Sequence, residues 1–120
     1  MSLEDDEEEI ISVEHLEKAT VARCLEPEVT MFSLPEIRQT LLEEAESKPA
    51  LFVLDFSETS YIDSSGIAVI FKVRHEVHNY GGIFCVTGLK PGLRKVLGAV
   101  VREDEILFYE TVEEALAENG

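Results

Sequence analysis

The segment Asp63-Ser64-Ser65-Gly66 places two hydroxyl groups beside a carboxylate, at the start of a predicted helix. The first N–H groups of a helix have no intrahelical partners and favour an anion. The fold would therefore tolerate a phosphate on Ser64, which adds about −1.5 to −2 charges beside Asp63 and repels a closely packed partner. Gly66 has no Cβ and lets another backbone approach. The same residues also fit plain helix capping without chemistry.

Other reactive arrangements in the sequence are weaker. His75 and His78 lie three residues apart on a predicted helix, but no third metal ligand is near them. A phosphoacceptor aspartate at Asp55 or Asp63 would need an acidic pair after the first strand to hold Mg²⁺, and neither opening strand ends in one. The chain has no Gly-x-Ser-x-Gly, no Cys-x-x-Cys and no glycine loop that cradles phosphate. We therefore predict no catalytic residues, no metal and no cofactor, and hence no enzyme.

The charge of the chain restricts its partners. Ten Lys and Arg against 25 Asp and Glu give a net charge of −15, which argues against nucleic acid and anionic lipid. The longest apolar runs have about five residues, whereas a membrane span needs about 20. The N-terminus is acidic where a secretory signal would be basic. We expect a cytoplasmic protein that is a monomer or a weak dimer.

The 120 residues fit one domain. Residues 4–9 are six consecutive acids, so we predict a disordered acidic tail over 1–9 and a folded domain over 10–120. Without these six acids the net charge is still −9. Cys24 and Cys85 lie in apolar, strand-like runs and are predicted to be reduced thiols in the core.

The strands that must position the Ser64 segment are indicated by apolar runs. Ile10–His15 and Thr20–Leu25 predict a hairpin whose first strand lies at a sheet edge. Ala50–Phe56 is continuously apolar, which is typical of a central strand buried on both faces. Ile83–Thr87 and Ile106–Tyr109 predict two further strands.

Capping residues and apolar spacing predict about four helices, which begin at Ser33, Asp63, Lys90 and Thr111. Lys48-Pro49 and Gly81-Gly82 would end the first two. The predicted buried stripe of the second helix consists of Ile67, Ile70, Phe71, Arg74 and Val77. The alternation of strand and helix predicts a single α/β domain with a mostly parallel sheet and an antiparallel edge strand. Loops 27–33, 57–66 and 88–92 should then meet at the carboxyl ends of the strands.

Several segments together form a family pattern. They are Leu54-Asp55-Phe56-Ser57, Tyr61-Ile62-Asp63-Ser64-Ser65-Gly66-Ile67-Ala68-Val69-Ile70, Gly81-Gly82, Gly88-Leu89-Lys90-Pro91-Gly92 and Pro35-Glu36-Ile37-Arg38. The pattern resembles that of STAS domains, the family of bacterial anti-sigma factor antagonists, over roughly residues 10–118. The resemblance implies the STAS fold.

The resemblance also implies a function. In this family the first serine of the motif, here Ser64, is phosphorylated by a partner that is both anti-sigma factor and serine kinase. The unmodified domain binds this partner and frees a sigma factor, and the phosphorylated domain releases it. We expect the partner-binding surface to include Asp63, Ser65, Gly66, Ala68, Val69, Glu28, Thr30, Met31 and Phe32.

One loop departs from the family. Its members commonly carry Gly-Glu-Leu-Asp after the second strand, where this chain has Pro27-Glu28-Val29-Thr30. This favours an alternative function, a constitutive structural or regulatory STAS module, either a scaffold in a signalling complex or associated with a transporter, without a phosphorylation switch. Met31 and Phe32 could be exposed at a partner contact or buried under the first helix. A small-ligand site in the strand-end crevice has no sequence support beyond the fold.

Overall fold

A computed structural model describes residues 9–100 and 106–120. The strands in the described part of the chain are β1 Ile11–His15, β2 Ala19–Cys24, β3 Glu28–Val29, β4 Leu51–Asp55, β5 Tyr61–Ile62, β6 Ile83–Thr87 and β7 Leu107–Tyr109. The helices there are α1 Leu34–Glu46, α2 Ser64–Asn79, α3 Pro91–Val100 and α4 Val112–Asn119. The predicted acidic tail, apart from Glu9, lies outside the described residues.

The main sheet has five strands in the order β1-β2-β4-β6-β7. β1 pairs antiparallel with β2 at one edge, and the other neighbours are parallel. In the parallel register Val21 is opposite Val53, and Val53 is opposite Cys85. A helix follows β4 and β6 before the next parallel strand, because a parallel connection must return the chain to the same end of the sheet. The predicted α/β fold with a mostly parallel sheet is confirmed.

Successive residues of β4 serve two hydrophobic cores. Phe52 and Leu54 belong to the larger core, which α1, α2 and α3 cover, whereas Leu51 and Val53 belong to the smaller core under α4. This division follows from the alternation of side chains along a strand. All five residues of β4 are buried, as the apolar run predicts.

The buried stripe of α2 differs from the predicted one. Ile70 and Val77 are buried as expected, but Phe71 and Arg74 are only half-buried, and the Arg74 guanidinium lies 5.5 Å from the Phe71 ring centre. The residues that the stripe contains are Gly66, Val69, Ile70, Val73 and Val77. Gly66 belongs to this stripe, and its lack of a Cβ allows the close approach of Ile62 and Val29.

Two of the predicted capping positions act as expected, and a third does not. Thr111 Oγ1 accepts a 3.0 Å hydrogen bond from the Glu114 N–H, and Gly81 has φ +86° at the end of α2. Ser33, however, does not cap α1: its backbone is already helical, and its hydroxyl donates to the Thr30 carbonyl at 3.2 Å. Ser33 therefore serves the preceding turn.

The two cysteines lie where the sequence predicts them. Cys24 and Cys85 are free thiols and buried, as predicted. Burial raises the pKa of Cys85 to about 12, because the thiolate would lose its hydration. Among the described helices, none combines the length and apolarity that crossing a membrane requires.

Two phenylalanines test the assignment of core and surface. Phe52 is fully buried and packs edge-to-face on Phe84, with ring centres 5.8 Å apart, whereas Phe32 is 90% exposed. We expect Phe52→Ala to lower the free energy of unfolding by about 3–5 kcal/mol, because it removes apolar burial and leaves a cavity. The matched control Phe32→Ala should change it by less than about 0.5 kcal/mol. Urea denaturation measures both, and equal losses would contradict the packing.

Candidate functional site

A two-stranded parallel sheet that sequence reasoning missed joins two of the predicted loops. β3 pairs with β5, with Glu28 opposite Tyr61 and Val29 opposite Ile62. The Pro27 carbonyl accepts hydrogen bonds from the N–H groups of Ser60 and Tyr61 at 2.8 and 3.2 Å. The Asp63 N–H donates to the Val29 carbonyl at 3.0 Å. Residues 27–33 are thus fixed beside the start of α2.

The third predicted loop reaches the same place through Lys90. Its ammonium donates to the carbonyls of Ser57 and Thr59 at 2.8 and 3.2 Å. The Thr59 hydroxyl, which is fully buried, donates to the Glu26 carbonyl at 2.7 Å. The three loops therefore meet at the carboxyl ends of the strands, as predicted.

Asp55, the last residue of β4, holds two of these loops by hydrogen bonds. This carboxylate is 4% exposed and accepts hydrogen bonds from the hydroxyls of Thr87 at 2.7 Å and Ser57 at 2.6 Å. Gly88 has φ +72°, and a Cβ there would lie 2.8 Å from Asp55 Oδ1. A buried carboxylate of this kind must be fully hydrogen-bonded, so Asp55 has a structural role. An acid that ends a continuously apolar run is the sequence signal for it.

Asp63 caps α2. Its backbone is extended, and its Oδ1 accepts from the Gly66 N–H at 3.1 Å and from the Ser65 hydroxyl at 2.5 Å. The Ser65 hydroxyl has the larger effect and the Gly66 N–H the next, and both lower the pKa of Asp63 because they stabilise its charged form. The backbone amide of Met31 contributes to the same shift, so the loop before α1 faces this carboxylate.

Ser64 is the first residue of α2 and is exposed. Its hydroxyl makes no hydrogen bond to any residue that the structure describes. Capping is done by Asp63 with the help of Ser65. The hydroxyl that the sequence singled out is accessible and has no capping role.

The predicted partner-binding residues separate into exposed and internal ones. Met31 is 66% and Phe32 90% exposed. Glu28 and Ala68 are also exposed, and Asp63, Ser65 and Thr30 are half-buried.

Two of the predicted partner-binding residues are not on the surface. Val69 was predicted to be exposed, and this is wrong: it is 6% exposed and packs in the larger core. Gly66 is also buried, and the residues that lie close to it belong to this chain and not to a partner. A Cβ there would lie 2.6 Å from Ile62 Cγ2 and 3.0 Å from Val29 Cγ1.

Thr30 shapes the exposed loop from within. Its hydroxyl accepts from the Phe32 N–H at 3.3 Å, and its carbonyl accepts from the N–H groups of Ser33 and Leu34 at 3.1 and 3.0 Å. Threonine hydroxyls commonly stabilise turns in this way, as aspartate does. Thr30 therefore fixes a turn with Met31 and Phe32 at its tip.

Within residues 9–100 and 106–120, no cluster of three or more His, Cys, Asp or Glu side chains is arranged to hold a metal ion. The predicted weak pair, His75 and His78, gains no third ligand there.

The contact at Gly66 can be tested against a second helical glycine. A Cβ at Gly92 would meet nothing within 4 Å, so Gly92→Ala measures the helix-propensity gain alone. Gly66→Ala must displace Ile62 or Val29, and we expect it to be less stable than Gly92→Ala by about 1–3 kcal/mol. Chemical denaturation gives the difference. Equal stabilities would show that Gly66 is not tightly packed.

The Asp63 cap predicts a pH effect. Ser65→Ala removes the largest cause of the lowered pKa, so the pKa of Asp63 should rise toward its ordinary value. A lowered folded-state pKa contributes stability that is present above the ordinary aspartate pKa and is lost as the pH falls through the lowered one. The variant should therefore lose less stability in acid than the native protein. NMR titration of the Asp63 carboxyl carbon measures the shift, and an unchanged pKa would refute this role of Ser65.

Comparisons with known proteins give the fold and the family. The chain is similar to an anti-sigma factor antagonist from Mycobacterium paratuberculosis, at TM-score 0.80 and 20% identity over 91% of this chain and 92% of that one. It is similar to the Bacillus cell fate determinant SpoIIAA in its phosphorylated form, at TM-score 0.72 and 21% identity over 90% and 97%. A sulfate transporter family protein from Wolinella succinogenes matches at TM-score 0.68 and 18% identity over 87% and 86%.

No curated protein matches the sequence significantly. The family model of the STAS domain, however, matches residues 11–115, which include β1, the Asp63–Gly66 segment and the first half of α4. The chain therefore belongs to the STAS domain family.

Proposed function

We propose that this protein is an anti-sigma factor antagonist with a phosphorylation switch. Its unmodified form binds a protein that is both anti-sigma factor and serine kinase, in the cytoplasm, and phosphorylation of Ser64 by that partner causes release. The protein itself catalyses nothing, since the kinase supplies the ATP chemistry. STAS membership and the similarity to named antagonists, one of them phosphorylated, support this proposal.

The observation that carries the proposal is the exposed Ser64 hydroxyl. The alternative interpretation of the motif was helix capping, but Asp63 and Ser65 perform the capping. Ser64 is left with an accessible oxygen at the positive end of a helix of 16 residues. A kinase can reach this oxygen, and the phosphate it adds is favourably placed at a helix N-terminus.

Electrostatics and desolvation explain the release. The Asp63 carboxylate is ionised at neutral pH, as an aspartate ordinarily is, and the hydroxyl of Ser65 lowers its pKa further, so a full negative charge stands directly beside Ser64. A phosphate adds about −1.5 to −2 charges at this place. A partner surface packed on an uncharged hydroxyl would have to desolvate both anions, and this is costly unless cations pair with them. Binding is therefore weakened without any change of the fold.

The apolar tip of the adjacent loop offers a binding anchor. Met31 and Phe32 are the two most exposed of the large hydrophobic side chains among the described residues. The Thr30 turn holds them, so little conformational entropy is lost when a partner covers them. Buried aromatic anchors commonly dominate the binding energy of an interface. The partner would contribute an apolar pocket for Phe32 next to its contact with Ser64.

A second candidate is a regulatory STAS module without a switch. The fold similarity to a sulfate transporter family protein and the Pro27–Thr30 loop favour it. In that function the Ser64 hydroxyl would remain unmodified, and the surface around it would bind its partner constitutively.

Variants of Ser64 distinguish the two functions. The protein is used to capture its kinase from the native host, and the dissociation constant is then measured with the purified kinase. Wild type should be released when ATP is added, whereas Ser64→Ala should stay bound because it has no acceptor oxygen. Ser64→Asp should weaken binding by about tenfold, that is about 1.4 kcal/mol, although one carboxylate mimics phosphate only in part.

Ser47→Asp is the matched control. Ser47 is an exposed serine at the other end of the molecule, where α1 ends, and its substitution adds the same charge. It should bind like wild type and still be released by ATP. The switch is refuted if Ser64→Asp binds as tightly as wild type and mass spectrometry finds the phosphate on another residue.

A further inference from the structure

The segment between β4 and Ser64 contains little regular structure. Residues 56–60 connect β4 to β5 and include a turn, in which the Thr59 N–H donates to the Phe56 carbonyl at 2.9 Å. β5 itself has only two residues, and Ser64 follows it after a single residue. Two short paired strands are marginal by themselves. The position of Ser64 must therefore be fixed by contacts from elsewhere in the molecule.

Lys90 supplies such a contact from the start of α3. Its carbonyl accepts from the Arg94 N–H at 2.9 Å, so its backbone belongs to the first turn of that helix. Its ammonium reaches the carbonyls of Ser57 at 2.8 Å and Thr59 at 3.2 Å. Among the described residues, Lys90 is the only side chain that donates to these two carbonyls. A charged donor forms stronger hydrogen bonds than a neutral one, so Lys90 ties this loop to a helix.

The same loop is tied to the segment of β3 on its other side. The fully buried Thr59 hydroxyl donates to the Glu26 carbonyl at 2.7 Å, and the Ser60 N–H donates to the Pro27 carbonyl at 2.8 Å. A loop that is released from the ammonium would strain these bonds and the pairing of β3 with β5. The position of the Ser64 hydroxyl thus depends on a side chain to which it makes no hydrogen bond in the described part of the chain.

Lys90 holds this loop without belonging to the core. Its side chain is exposed, and its two acceptors are backbone carbonyls of a connection between strands. Substitution of such a residue removes no apolar burial, so the protein should still fold. The effect of a substitution is therefore local, and it falls on the segment that carries the proposed acceptor.

We propose that Lys90 is a positioning residue for the phosphorylation of Ser64. Acting through residues 57–60 and β5, it fixes the acceptor oxygen where a kinase active site requires it. In the transfer this oxygen bonds to the γ-phosphorus of ATP, the bond to the leaving oxygen of ADP breaks, and the hydroxyl proton passes to a base of the kinase. Because the attacking and leaving oxygens must be in line, a displaced acceptor slows the transfer. This inference rests on the proposed function.

Amide hydrogen exchange measures the tether without a kinase. In Lys90→Ala the N–H groups of Ser60, Tyr61 and Asp63 should exchange at least about tenfold faster than in wild type, because the loop that holds their pairing has lost two charge-assisted hydrogen bonds. The N–H groups of β4 should not change. Lys90→Arg should restore the protection, since a guanidinium also has donors for two carbonyls. Unchanged exchange in Lys90→Ala overturns the proposal.

Phosphorylation kinetics test the consequence, with the kinase captured and purified from the native host. Lys90→Ala should lower kcat for transfer to Ser64 by at least about tenfold and change KM by less than about threefold, because the exposed binding residues are still present. Lys90→Arg should recover the rate. A merely structural defect would lower the rate only in proportion to the unfolded fraction, which urea denaturation measures.

Lys95→Ala is the matched control, because it removes another exposed lysine of α3 that makes no hydrogen bond to residues 57–60. It should be phosphorylated like wild type, and an equal loss in this variant overturns the proposal. If wild type and Lys90→Ala are phosphorylated on Ser64 equally fast, the proposal is overturned while the switch stands. If wild type acquires no phosphate on Ser64, the proposed function itself fails, and the positioning role fails with it.

Discussion

The first turn of α2 presents backbone N–H groups that no helical carbonyl can accept, and the carboxylate of Asp63 accepts the one from Gly66. The Ser65 hydroxyl donates to the same oxygen, so carboxylate and hydroxyl together complete the cap. The residue between them, Ser64, is left outside this arrangement. The proposed switch depends on this division, because a hydroxyl engaged in capping could not be modified without destabilising the helix.

The position of that hydroxyl depends on the short pairing of β3 with β5. Two paired residues in each strand and the close packing at Gly66 fix the loop before α1 against the start of α2. An exposed serine and the exposed apolar residues Met31 and Phe32 are thereby parts of one surface. Below it, the buried Asp55 and the ammonium of Lys90 tie the β4 and β6 loops together. The site is therefore positioned by backbone pairing and buried polar contacts, and its exposed residues are free to serve binding.

The sequence predicts the elements that local physics determines. The continuous apolar run of β4, the Thr111 cap and the glycine that ends α2 depend on near neighbours only, and all three are confirmed. β3 and β5 were missed because two-residue strands are too short to show an alternation. The predicted exposure of Val69 was wrong because the apolar residues of α2 fit two overlapping stripes at helical spacing, and Val69 lies in the one that is buried. The contact of Lys90 with residues 57–60 joins two distant segments and leaves no periodic signal.

The most direct test of the account is the affinity of the kinase for two forms of the same protein, one unmodified and one phosphorylated stoichiometrically at Ser64. Calorimetry with both forms, in the absence of ATP, isolates the effect of the phosphate from turnover. The account predicts at least about a tenfold loss of affinity, or 1.4 kcal/mol, with an unchanged fold by circular dichroism. Equal affinity of the two forms would contradict it.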